Sequence, residues 1–322
     1  MILAGDIGGT HTRLAFFDQG KKVVEQIFPS HNYPGLEEIL REFLREHKQP
    51  IEAACFGVAG FVKEGICRAT NLPWVVDAGS IRKAFHLPSV SLLNDLEAHA
   101  YGLKGLKQEE LLCLHPGKPQ VGNQALIAAG TGLGEAGLYW DGKVHHPFAC
   151  EGGHADFAPR SEIEVELLQN LQKQFGHVSY ERVLSGSGLH SLHQFLIETG
   201  RGVASPQIAH AMQKKDPSEV ISKWGSQKKD PTCGKALDWF CSLYGAEAGN
   251  LALKMLAVGG VFIGGGIASH LSSALQQSPF VASFVDKGRF RGLLESIPLW
   301  VILNDHTALL GAAHFAAGRG WK

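Results

Sequence analysis

The sequence predicts an α/β protein of two domains, and three observations carry that expectation. Its 322 residues exceed one ordinary core and suit two of about 150 residues each. Short apolar runs with strand character interleave with helix-periodic stretches. One grammar, strand, Gly/Thr turn, strand, Asp turn, strand, occurs twice, which points to two halves built alike.

The first occurrence opens the chain. Ile2 to Asp6 reads as a buried strand, Gly8-Gly9-Thr10 as a tight turn and Thr12 to Phe17 as a second strand. Asp18-Gln19-Gly20 then turns into a third strand at Lys22 to Ile27. After Pro34, Leu36, Ile39, Leu40, Phe43 and Leu44 recur at helical spacing and predict an amphipathic helix ending near His47. Ala53 to Val58 and Val90 to Asn94 are further strands, the second followed by a helix from Leu96.

The second occurrence runs from the strand Ala125 to Ala129 through the glycine turn Gly130 to Gly134 into the strand Ala136 to Trp140. Asp141-Gly142 is a hairpin signal, and Lys143 to His146 completes the unit. Beyond it, Ser161-x-x-Glu164 has the pattern of a capping box and opens a helix through Phe175. Apolar periodicity from Lys235 to Val258 predicts a long helix leading into the strand Val261 to Ile263 and the turn Gly264-Gly265-Gly266. The polar stretch Lys214 to Pro231, in which Lys-Lys-Asp-Pro occurs twice, reads as a surface connection. A last strand near Leu299 to Leu303 and a helix from Ala308 are expected to return to the N-terminal domain.

Composition excludes several classes of partner. Thirty basic and 31 acidic residues are interleaved, giving a formal charge of −1, whereas nucleic acid or a membrane surface calls for a gathered basic excess. No signal peptide fits the first residues and no apolar run reaches the ~18 residues of a membrane span, so a cytoplasmic protein is expected. Cys55, Cys67, Cys113, Cys150, Cys233 and Cys241 form no C-x-x-C pair and read as reduced thiols, several of them core fillers.

The chemistry concentrates at glycine turns and at carboxylates. In Gly5-Asp6-Ile7-Gly8-Gly9-Thr10, glycines permit positive φ and close approach to phosphate oxygens, and successive N–H groups can form an anion-binding concavity. Thr10 can donate its hydroxyl, and Asp6 can hold hydrated Mg²⁺. An ordinary hairpin turn has the same letters. Gly132, Gly134 and Gly137 match G-x-G-x-x-G, but strand and hairpin follow where a dinucleotide site needs a helix. No G-x-x-x-x-G-K-[ST] occurs, so a P-loop is excluded. Gly264-Gly265-Gly266 stands between strand and helix, fitting either a nucleotide or tight packing.

Asp95 follows a strand and precedes a helix, where ligands gather in open α/β sheets; a helix N-cap is the plainer use of such a residue. Glu151, His154 and Asp156 lie on one glycine-interrupted segment, and carboxylates there can accept hydrogen bonds from neighbouring sugar hydroxyls. Only Cys150 and His154 come near zinc-ligand spacing, with His145 and His146 close by, which falls short of a structural zinc set.

These segments together resemble the bacterial glucokinase family of the hexokinase/actin-like superfamily. GDIGGTHTRLA (5–15), LLNDLEAHA (92–100), AAGTGLGEA (128–136) and EGGHADFAP (151–159) carry the likeness. GHVSYERVLSGSGL (176–189), GNLAL (249–253) and GGVFIGGGIA (259–268) extend it over nearly the whole chain. The resemblance implies a two-domain actin-like (RNase H-like) ATPase fold with an interdomain cleft, the small domain at 1–110 plus 303–322 and the large one at 111–302. It implies Mg-ATP as phosphoryl donor, glucose as acceptor and a homodimer.

By the same likeness Asn94, Asp95, Glu151, His154 and Glu181 contact glucose. The nucleotide falls to Gly5, Asp6, Ile7, Gly8, Gly9, Thr10, Gly130, Thr131, Gly132, Gly265 and Gly266, with Asp6 holding Mg²⁺ through water. Read without it, Glu181 is a solvated helix residue. His11 stands where the family commonly has asparagine. The multi-cysteine zinc motif of ROK proteins is missing, and no helix-turn-helix is expected ahead of the first strand.

The reaction expected is in-line phosphoryl transfer, with Asp95 as base toward the sugar 6-hydroxyl. Rival readings are a kinase of another hexose, a polyphosphate-dependent enzyme, or a non-catalytic sugar-sensing ATP-binding protein.

Overall fold

Residues 1–318 are described in a computed structural model, and they divide into two compact units. The first comprises Met1–Gln108, Pro147–Ala149 and the described residues from Asn304 onward; the second comprises Glu109–His146 and Cys150–Leu303. The end of the expected small domain, residues 319–322, lies outside the described residues. No helix among the described residues is long and apolar enough to cross a membrane.

The first unit is built around β1 (Ile2–Ile7), β2 (His11–Asp18) and β3 (Lys21–Pro29), then α1 (Leu36–Glu46) and β4 (Ala53–Val58). A small antiparallel sheet follows, β5 (Val62–Lys63), β6 (Ile66–Arg68) and β7 (Val75–Asp77). Next come α2 (Ala78–Ala84), β8 (Val90–Asn94) and α3 (Asp95–Gly102). The main sheet has the order β3-β2-β1-β4-β8. β1 pairs antiparallel with β2 and parallel with β4, and β4 pairs parallel with β8. β1 occupies the centre because Ile2, Leu3, Ala4 and Ile7 are all buried, an apolar run suited to a strand covered on both faces. One face takes α1, whose Leu36, Ile39, Leu40 and Phe43 are buried, as the periodicity required. The other takes α3 and the C-terminal helix Thr307–Ala316.

The second unit repeats this plan. Its strands are β9 (Leu111–His115), β10 (Gln124–Ala129), β11 (Leu133–Trp140) and β12 (His145–Cys150). Five helices follow: α4 (Glu162–Phe175), α5 (Gly186–Glu198), α6 (Pro206–Met212), α7 (Pro217–Ser226) and α8 (Pro231–Met255). The chain then forms β13 (Val261–Gly264), α9 (Gly265–His270), α10 (Ser272–Gln277), α11 (Phe280–Val285), α12 (Arg291–Ser296) and β14 (Leu299–Ile302). The sheet order is β12-β11-β10-β13-β14-β9. β10 is antiparallel to β11 and parallel to β13, which is parallel to β14, matching the pairing around β1. Tyr244 of α8 is fully buried; its hydroxyl accepts the Ala129 N–H at 3.1 Å and donates to the Ile127 carbonyl at 3.2 Å. The long helix is thereby fixed to the strand that enters the glycine turn.

Several sequence expectations are corrected. The last strand, β14, belongs to the second sheet, and only the helix after it packs in the first unit. The stretch Lys214 to Pro231 is not mere connection: each Lys-Lys-Asp-Pro starts a helix. Asp216 accepts the N–H groups of Ser218 and Glu219, Asp230 accepts that of Cys233, and Pro217 and Pro231 take the first helical position. The strand expected at Lys143 to His146 starts at His145, because Asp141 Oδ1 accepts the N–H groups of Lys143 and Val144 at 2.8 Å each and prolongs the turn. Ser161 makes no capping hydrogen bond. Glu164 accepts the Arg160 N–H at 2.7 Å and pairs with its guanidinium, so the capping box is not formed. The sheet of β5, β6 and β7 went unread because strands of two or three residues show no period.

The C-terminal helix meets α3 at glycines: a Cβ at Gly311 would run into the Ala98 carbonyl oxygen, and one at Gly102 into that of Thr307. Gly311→Ala should destabilise the first unit by about 1–3 kcal/mol through overpacking, measured as a lower midpoint in denaturant unfolding.

Candidate active site

In the first unit, the parallel strands β1, β4 and β8 bring their carboxyl ends level. Their register aligns Asp6 with Gly57 and Leu93, and Ile7 with Val58 and Asn94. Asp6 and the Asn94-Asp95 pair therefore share the end of the sheet at which open α/β folds bind ligands. Asn94, not Asp95, caps α3: its Oδ1 accepts the N–H groups of Leu96 at 2.9 Å and Glu97 at 3.3 Å, while Nδ2 donates to the Gly60 carbonyl at 3.1 Å. Asp95 is the first helical residue and half-buried, with Oδ1 accepting the N–H of Leu96 at 3.0 Å. A bare Gly57 makes room for this helix: a Cβ there would lie 2.8 Å from the Ala98 Cβ.

The Asp6 side chain is 19% exposed and takes Arg13 Nη1 at 3.2 Å, while Nη2 of the same guanidinium lies 3.6 Å from Asp305. Burial pushes the Asp6 carboxyl above the usual range, and Arg13 pulls it partly back. The Gly8-Gly9-Thr10 turn is pinned from behind. The Gly8 N–H donates to the His11 carbonyl at 3.0 Å, and Ser30 Oγ donates to the Gly8 carbonyl at 2.8 Å. Thr10 and His11 are exposed at its tip. Gly5 and Ile7 lie in β1, and a Cβ at Gly5 would meet the Phe56 ring at 2.5 Å, so Gly5 admits packing of the sheet.

In the second unit, Gly130-Thr131-Gly132 closes tightly, with the Gly130 N–H donating to the Gly132 carbonyl at 2.8 Å and the Gly186 N–H to that of Gly130 at 2.9 Å. The Leu133 N–H donates to Glu181 Oε2 at 3.0 Å. A Cβ at Gly132 would collide with that same oxygen. Glu181 is thus a fixed part of the glycine turn, not the solvated residue its local sequence describes. It sits on a single helical turn, Tyr180–Arg182, held by buried Tyr180 and by Ser185 Oγ donating to its carbonyl at 2.8 Å. His154 stands between two carboxylates, Nε2 at 3.9 Å from Glu151 and Nδ1 at 4.0 Å from Glu181. Glu151 and His154 are 61% and 58% exposed and Glu181 29%, so the three present an accessible polar face. Asp156 leaves this group and pairs with His177 at 2.7 Å.

The third glycine cluster has a firm backbone reason at Gly265. Its φ of +85° is left-handed, and a Cβ there would strike the Ala129 carbonyl. Gly266 faces open space. Among the described residues, one set of metal-type side chains exists elsewhere: ligand atoms of His193, Asp230 and Cys233 lie within 4.8 Å of one another. Asp230 is already the cap of α8, and burial pushes the Cys233 thiol up to about 12, so these two residues serve the helix start. Glu135, a buried carboxyl inside β11, is marked in the sequence only by a charge in an otherwise apolar strand.

Comparison with known proteins follows the same lines. The glucokinase family profile matches residues 3–319. A curated glucokinase of Nostoc punctiforme is 40% identical over 337 aligned positions, covering 98% of this chain and 99% of that protein. The crystal structure of a glucokinase from an Antarctic psychrotroph superposes with a TM-score of 0.83 at 32% identity, covering 98% of both chains. A ROK family glucokinase from Streptomyces griseus, crystallised with glucose and AMPPNP, shares the fold at a TM-score of 0.66 and 19% identity, covering 98% of this chain and 99% of that one.

Gly132→Ala should displace the Glu181 carboxylate and release the Leu133 amide. Hydrogen exchange at Leu133 should accelerate at least about tenfold, the effect of losing ~1.4 kcal/mol of protection.

Proposed function

The chain belongs to the glucokinase family, and from that premise we propose that it transfers the γ-phosphoryl group of Mg-ATP to the 6-hydroxyl of glucose, giving glucose 6-phosphate and ADP. The observation that carries this reading is the gathering of Glu151, His154 and Glu181 beside a glycine turn that Glu181 itself holds in shape.

Each residue then has a task. Asp95 accepts the proton of the 6-hydroxyl as that oxygen attacks phosphorus; its place at the start of α3, beyond a strand end, supports the role. Glu151 and Glu181 accept hydrogen bonds from sugar hydroxyls, and His154 donates or accepts one according to its tautomer. Asn94 contributes mainly by fixing the start of α3, and through it the direction of Asp95. Holding the acceptor oxygen in line supplies most of the acceleration, because the transfer asks little covalent chemistry of the protein. The glycine turns at Gly8-Gly9-Thr10 and Gly130-Thr131-Gly132 contribute backbone N–H groups toward phosphate oxygens, and Gly265-Gly266 borders the nucleoside end.

Magnesium fits the residues present. Asp6 offers a hard oxygen ligand; burial disfavours its ionised form, Arg13 offsets that only in part, and a bound dication would offset the rest. When bound, the ion neutralises charge on the phosphates. The family likeness completes the reading with a cytoplasmic homodimer.

The test is Asp95→Asn. Turnover with glucose and Mg-ATP should fall by about 10²–10⁴ while the glucose Kd from calorimetry stays within about threefold. Turnover near wild type would remove Asp95 from the base role. Equal ADP release across glucose, mannose, fructose and amino sugars would remove glucose as the specific acceptor.

A further inference from the structure

Beneath the sugar-binding segment lies a pair of carboxyl groups that the proposed reaction does not use. Glu135 of β11 and Glu247 of α8 are 1% and 0% exposed, and they lie near enough for the Glu247 charge to act on the Glu135 carboxyl. Two buried carboxylates so placed repel each other when both are charged. Glu135 Oε1 is buried with no donor facing it among the described residues. A Cβ at Gly152 would overlap Glu135 Oε2, and a Cβ at Gly153 the Leu133 carbonyl oxygen, so residues 151–154 lie flat on the two β11 positions that flank Gly134. Cys150 Sγ adds a contact to the Glu135 carbonyl at 3.5 Å.

Glu247 extends the connection. It accepts Asn250 Nδ2 at 2.7 Å, and that same nitrogen donates to the Tyr180 hydroxyl at 3.0 Å, next to Glu181. We propose that buried Glu135, on which Gly152 rests, and buried Glu247, which reaches Tyr180 through Asn250, together form a positioning device that sets the segment Glu151–His154 against the Tyr180–Glu181 turn for sugar binding. The proposal rests on the sugar-binding role given to Glu151, His154 and Glu181.

The Glu135 carboxyl is pushed up to about 8, by burial first and the neighbouring Glu247 charge second. Lys254, 3.2 Å from Glu247, opposes this and keeps one negative charge tolerable. Other groups facing the pair stay neutral through that step. Burial raises the Cys150 thiol at the segment, Tyr244 on α8 and Tyr180 on its turn. Lys287, which donates to Asn250 at 2.6 Å, is lowered by burial and by the Arg160 charge; Glu151 and His154 are the ionisable side chains of the segment itself. The sign follows. A carboxyl raised in the folded state adds stability in full at low pH, and that contribution fades as pH climbs through the folded value. Above it, two buried like charges repel, and the segment resting on Glu135 is the part free to yield.

Two measurements test this in the full-length protein. Without substrate, amide exchange of residues 151–154, corrected for the intrinsic pH dependence, should accelerate as pH passes about 8, and Glu135→Gln should abolish that acceleration. With substrate, KM for glucose should rise at least about threefold over the same step while kcat changes less, and Glu135→Gln should flatten the rise. Glu247→Gln should flatten it equally and serves if the first variant folds poorly. An alkaline acceleration that persists in both variants overturns the proposal, as does wild-type exchange that is flat with pH. The exchange readout needs no turnover, so loss of glucose phosphorylation alone would indict the proposed function and leave this result standing.

Discussion

The 3.0 Å hydrogen bond from the Leu133 amide to Glu181 ties together parts of the chain that have no local reason to meet. It requires Gly132 to lack a side chain, since any Cβ would occupy the place of the carboxylate oxygen. It also requires the Tyr180–Arg182 turn to sit where β11 begins, which buried Tyr180 and the Asn250 contact secure. One interaction thus fixes the mouth of a glycine turn and the direction of the Glu181 carboxylate. Glu181 donates nothing to the turn except acceptor capacity, so its second oxygen stays near His154.

The doubled sheet plan explains why such turns occur twice. In each unit a central strand enters a glycine turn, returns antiparallel, and is flanked on its other side by parallel strands. Parallel neighbours finish at one end, and that end collects Asp6 and Asn94-Asp95 in the first unit and Gly130 and Gly264-Gly265 in the second. The turns differ in their backing. The Ser30 hydroxyl and the His11 carbonyl brace the first, whereas a carboxylate braces the second. The second turn therefore has an acidic side chain within its own framework.

Much of this was legible in the sequence, for physical reasons that differ by element. β1, β4, β8 and α1 were read almost residue for residue, because their apolar pattern reflects burial in a central sheet. The glycine turns were located, but their meaning was not. Gly5 and Gly265 serve close packing, a fact that resides in Phe56 and the Ala129 carbonyl, both distant in sequence. Asn94 and Asp95 were placed together at a strand end, yet which of them caps α3 depends on the backbone angle at residue 94. Glu181 could not be found from its neighbours, because its partner Leu133 is 48 positions away. The helix starts at Asp216-Pro217 and Asp230-Pro231 were available in the letters and were outweighed by the polarity around them.

The account turns on Glu181 serving the sugar and the phosphate turn at once, and calorimetry on Glu181→Ala examines that directly. Glucose and a non-hydrolysable ATP analogue, titrated separately, should each bind more than about tenfold more weakly than to the wild type. Wild-type affinity for either ligand would contradict the account.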